Sequence, residues 1–119
     1  MPLYWVFSRA APSVTPEGAQ EFLKDHLRFQ FDLERRGMLF AAGPLGELGK
    51  SPLGMYCLIA DSEEEARAIA ERDPFHVRGR KTYELHWWTL CESSVLGVGM
   101  RAWLNDTDPS FRAYWPPED

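Results

Sequence analysis

Two side chains in this sequence suit proton transfer: His26, in KDHLRF (residues 24–29), and Asp73, in DPF (residues 73–75). An imidazole with its unperturbed pKa of about 6.5 changes charge near neutral pH. A carboxylate bonded to one ring nitrogen fixes the tautomer and leaves the other nitrogen to take a proton. The pair would make a general base for a phenol or for carbon next to a carbonyl.

Both residues sit where charge is unusual. Thr15, Pro16 and Glu17 read as a helix start, with a capping hydroxyl, proline in the first turn and an acid near the positive dipole end. The helix should run to Arg36 and stop at Gly37. At about 100° per residue, Phe29, Phe22, Leu33, His26, Ala19, Gln30 and Leu23 share one arc of roughly 120°, with His26 near its centre. The bland account is a core histidine bonded to a backbone carbonyl. Ser62 with Glu65 forms a capping box for a second helix continuing through Ile69 towards Arg72, on which Ala66, Ile69 and Asp73 follow i, i+3, i+7. A carboxylate at the carbonyl end of a helix is disfavoured by the dipole, so another interaction should hold it. Locally, Asp73 could cap a turn that begins at Pro74.

The remaining elements decide whether the two can meet. Residues 2–8, 38–43, 53–60 and 80–90 read as strands, giving the order βαββαβ. In a compact chain that order implies α+β, ferredoxin-like architecture: a four-stranded antiparallel sheet with both helices on one face, so inward groups from both helices converge above it. Strand one carries Leu3, Trp5 and Phe7 on one side and Tyr4 and Val6 on the other, and two helices cover only one. A partner subunit in a two-fold homodimer is expected on the second face. Residues 1–90 form the domain; residues 91–119, with Trp103, Phe111, Tyr114 and Trp115, are expected to pack as an arm on their own or a neighbouring subunit, with PPED loose.

A chain of 119 residues can bury a core unaided, and 45% hydrophobic with 26% charged residues fits a soluble domain. No apolar run approaches the roughly 20 residues of a membrane span, and MPLYWVFSRA lacks a basic lead, so a cytoplasmic protein is expected. A net charge of −5 argues against nucleic acid as a partner. Cys57 and Cys91 lack zinc-like spacing and read as buried, reduced thiols.

Other signals carry less. GPLGELGKS (residues 43–51) ends like a phosphate loop but has Pro44 where glycine is needed and a strand instead of a following helix; it reads as a hairpin loop flanking a pocket. Arg78, Arg80 and Lys81 around Gly79 could attract an acidic or phenolate substrate, but read first as a solvated turn. His76 could join a metal site, yet nothing fixes it at ligand spacing to His26 and Asp73, and no metal is expected. His86 shares a strand side with Glu84 and Trp88, the side expected to face the partner.

His26-Leu27, AAGPL (residues 41–45), Gly54, EEEARAIAERDPF (residues 63–75), Gly79 and the aromatic close of the fourth strand together resemble the YCII-related family, over about residues 3–90. The resemblance implies a dimeric α/β barrel, similar in fold to muconolactone isomerase, with a His-Asp pair at His26 and Asp73. The activity associated with the family is removal of HCl from chlorinated hydroxyhydroquinones. Many members carry serine after the glycine that opens strand three, where this chain has Met55. The expected function is a cofactor-free lyase or isomerase acting on a carbonyl or phenolic small molecule, with Phe22, Phe29, Gly43, Pro44 and Phe75 lining the site. The alternative is a non-catalytic dimer that binds a small molecule, its His-Asp pair a structural tie.

Overall fold

The computed structural model describes residues 2–96 and 107–114. Four strands, β1 (Leu3–Ala10), β2 (Leu39–Pro44), β3 (Gly54–Ile59) and β4 (Lys81–Trp88), form one antiparallel sheet in the order β2-β3-β1-β4. Register places Val6 opposite Tyr56 and Leu85, and Trp5 opposite Cys57 and His86. Because strand side chains alternate, one face presents Tyr4, Val6, Tyr56 and Leu58 to the helices. These pack with Leu33, Ala66, Ile69 and Ala70 as the core. This is the ferredoxin-like arrangement expected from the element order.

The first helical segment is broken where a continuous helix was expected. It forms α1 (Pro16–Ala19) and α2 (Leu23–Arg35). Thr15 Oγ1 caps α1 by accepting from the Gly18 amide at 3.0 Å. The chain then tightens into short-range bonds, Glu21 N to Gly18 O and Leu23 N to Gln20 O. Gly18 weakens helix continuation here, and Gln20 Nε2 donates to the Ser51 carbonyl at 2.6 Å, drawing the break towards the β2–β3 loop. The end of α2 follows the sequence: Gly37 adopts φ 72°, Met38 N bonds Leu33 O and Gly37 N bonds Glu34 O, a paired closure that only a left-handed residue allows.

Helix α3 (Glu63–Ala70) starts at Ser62, whose side chain accepts from Glu65 N. Glu65 reaches back to the Asp61 amide rather than to that of Ser62. A further short helix, α4 (Pro74–Val77), follows at once.

The second sheet face carries an aromatic chain: Trp5 lies 5.5 Å from Trp88 and 6.3 Å from Phe7, with Phe7 5.5 Å from His86, as ring-centroid distances. Cys57 is buried on this face and its thiol is pushed up to about 11 by burial. Cys91 is free but only half-buried, unlike the expectation for both thiols. The described residues from Thr89 onward fall in a second unit, which contains a 3-10 helix, Pro109–Tyr114. Trp103, Trp115 and the closing PPED of the expected arm lie outside the described residues. Among the described residues no helix is long and apolar enough to cross a membrane.

Leu33, only 1% exposed, joins α2 to the sheet. Leu33→Ala should cost about 2–5 kcal/mol, read as a lower urea midpoint without loss of the folded baseline.

Candidate active site

The inward stripe of α2 and the start of α4 bring the two polar residues together. His26 Nδ1 lies 2.9 Å from both carboxylate oxygens of Asp73. The Asp73 side chain is fully buried and that of His26 is 12% exposed. The carboxylate also accepts from the Tyr56 hydroxyl and the Phe75 amide, each at 2.9 Å. The Phe75 bond is the cap of α4, so the local capping account and the pairing account hold together. Burial alone would raise the Asp73 pKa, but the bonds and charge from His26, with His76 and the Phe75 amide, outweigh it and hold the carboxyl below its ordinary value. Tyr56 is driven the other way, well above its ordinary value, first by burial and then by the adjacent carboxylate. It therefore stays a neutral donor.

An ionised Asp73 can only accept, so Nδ1 carries the hydrogen, which in the neutral ring leaves the lone pair on Nε2. Among the described residues Nε2 has no hydrogen-bond partner. His26 stacks on Phe75 at 4.4 Å between ring centroids and borders a cavity of about 220 Å³.

Of the residues expected to line the site, Phe75, Gly43 and Pro44 border this cavity. The other two lie elsewhere: Phe22 sits beneath the guanidinium groups of Arg78 and Arg80, and Phe29 packs edge-on to Tyr56. Phe29 keeps its inward position but packs against the core, whereas Phe22, the N-cap of α2, falls at the break in the helix, where the wheel of a continuous helix no longer applies. Met55 borders the cavity.

Ser8, Tyr56 and Lys81 also line it; Ser8 and Tyr56 were not singled out from the sequence, and Lys81 only as one of a cationic group that read first as a solvated turn. Lys81 corrects the reading of a solvated cationic turn: Arg78 is exposed, but Lys81 is 6% exposed, with its Nζ 4.1 Å from the centroid of the Phe75 ring. The available signal was the two-residue period of β4, which places Lys81 on the same side as Tyr83 and Leu85. His76 is held at both nitrogens, Nδ1 donating to Ala70 O at 2.7 Å and Nε2 accepting the Ser8 hydroxyl at 2.8 Å. His86 lies on the opposite sheet face, 3.3 Å from Glu84.

A family model for the YCII-related domain matches residues 2–89. Among solved structures, the chain is similar to 5-chloro-2-hydroxyhydroquinone dehydrochlorinase from Burkholderia phenoliruptrix in complex with 2,5-dihydroxybenzoquinone, at 18% identity and TM-score 0.56, covering 73% of this chain and 93% of that one. It is also similar to SnoaB, a cofactor-independent oxygenase from Streptomyces nogalater, at 13% identity and TM-score 0.47, covering 78% and 96%. No curated protein matches by sequence.

The site sets a pH dependence. Burial lowers the His76 pKa from its ordinary 6.5, against the opposing pull of its Ala70 bond and the Asp73 charge. Unfolding then takes up a proton that the folded chain resists, so this contribution is full above about 6.5 and is lost as pH falls through the lowered value. Asp73, lowered from 3.8, adds a second loss further into acid. Urea midpoints measured against pH should fall in both windows, and His76→Gln should flatten the upper one alone.

Proposed function

The chain belongs to the YCII-related family, and on that premise we propose that it is a cofactor-independent lyase or isomerase in which His26 moves a proton on a phenolic or carbonyl substrate. One observation carries the reading: His26 borders a cavity while its Nδ1 is tied to a fully buried carboxylate, which leaves Nε2 without a partner among the described residues. In the proposed cycle Nε2 takes the proton from a hydroxyl or an activated carbon. The imidazolium that forms is stabilised by Asp73, whose other bonds to Tyr56 and Phe75 keep it in place without moving. The proton returns to a leaving group or to another carbon of the same molecule, giving elimination or isomerisation respectively. The named activity of the Burkholderia relative, loss of HCl from a chlorinated hydroxyhydroquinone, is a reaction of this kind, and the cavity suits a single aromatic ring.

A second reading has its own support. Asp73 caps α4 and binds Tyr56 as well as His26, which is what a structural tie in a non-catalytic, small-molecule-binding dimer would do. His26→Ala separates the two, since it leaves the cap and the Tyr56 bond intact. With chlorinated hydroxyhydroquinones and unsaturated lactones as substrates, the catalytic reading expects His26→Ala to lose about 10²–10⁴ in turnover. The structural reading expects a loss of stability of about 1–3 kcal/mol with no turnover in either protein. Asp73→Asn should lose turnover too.

The proposal includes a homodimer through the aromatic sheet face of Trp5, Phe7 and Trp88. Sedimentation should give twice the chain mass, and Trp5→Glu should give monomers; wild-type monomers at high concentration would exclude the dimer.

A further inference from the structure

A lysine that is 94% withdrawn from solvent is expected to have a carboxylate or a set of acceptors around it, because an isolated buried ammonium is costly. Lys81 has neither: among the described residues no hydrogen bond or ion pair reaches its Nζ, and its one specific contact is the face of Phe75. The same aromatic ring carries stacked His26, so the ammonium and the imidazole lean on one support. Both residues line the one cavity of about 220 Å³. Burial lowers the Lys81 pKa, and the nearby Asp73 charge opposes that only in part. Asp73 cannot supply the missing partner, since its oxygens are already committed to His26, Tyr56 and Phe75.

We propose that Lys81 is the substrate-recognition cation of this site, holding an oxyanion of a phenolate or enolate while His26 exchanges a proton at another atom of the same ring-sized molecule. The inference rests on the proposed proton-transfer function and narrows its substrate to molecules that carry, or develop, a negative oxygen. A neutral hydrocarbon or ether would leave the ammonium unpaired in the filled cavity, and so would be disfavoured. The aromatic platform suits such a role, because Phe75 holds the cation through its ring face without neutralising its charge, which stays available to a ligand.

Para-nitrophenol tests the assignment, because its phenolate alone is yellow and binding next to a cation converts phenol to phenolate. Wild-type protein should deepen the yellow band and should bind this probe about 10- to 100-fold more tightly than the neutral ether para-nitroanisole, the range of one hydrogen bond to a charged group. Lys81→Met should lose that preference while still binding the ether, and Lys81→Arg should recover most of it. Lys81→Met should melt close to wild type, since methionine keeps the apolar stem of the side chain against Phe75. A preference that survives Lys81→Met, or is absent from wild type, overturns the assignment; so does a lowered melting point with preference unchanged, which would make Lys81 a packing tie on Phe75. His26→Ala distinguishes this from failure of the catalytic reading: phenolate preference persisting in that variant supports Lys81 whatever turnover does, and its disappearance there would assign the anion to the imidazole and overturn the role of Lys81.

Discussion

A fully buried carboxylate is the constraint on which the site depends. Asp73 cannot be left without donors at that depth, and the fold gives it three from three directions: the imidazole on α2, the phenol on β3 and the amide of its own following turn. Each bond locates a different element, so the carboxylate fixes where α2, the sheet and α4 stand relative to one another. The His26 ring inherits its orientation from this arrangement and needs no further partner at Nε2.

The same arrangement explains how polar chemistry coexists with an ordinary core. Leu33, Ile69 and Tyr56 seal the helix-to-sheet layer beside the pair, and the aromatic rings of Phe75 and Tyr56 flank the imidazole at 4.4 and 6.0 Å between centroids. The imidazole is walled by these rings and borders the cavity, so a fully buried carboxylate and a partly exposed ring belong to one unit.

Most of the architecture was legible because it rests on local signals. The cap at Thr15, the box at Ser62, the left-handed Gly37 and the alternating pattern of Leu3 to Phe7 each point to one conformation, and their sequence order determines the sheet. The meeting of His26 and Asp73 was legible because His26 broke the apolar pattern of its helix and Asp73 fell in phase with Ala66 and Ile69, although α3 ends at Ala70 and Asp73 instead caps α4. The break after Ala19 was not legible, since it depends on Gln20 finding a carbonyl at Ser51, distant in sequence. Phe22 and Phe29 misled for related reasons: Phe22 lies at that same break, outside the helical turns, and Phe29 points inward but serves the core. Lys81 was obscured by company. Beside Arg78 and Arg80 it reads as one of a solvated group, although the strand that begins at Lys81 already turns it inward.

The Gln20 to Ser51 bond has a consequence beyond the helix it interrupts. Both residues are on the rim of the cavity, one from the helical wall and one from the hairpin. Spreading those walls means giving up an amide-carbonyl bond worth about 0.5–1.5 kcal/mol net. The latch contains neither His26 nor Asp73, so the width of the cavity and the geometry of the polar pair are set by separate parts, and either can drift without the other.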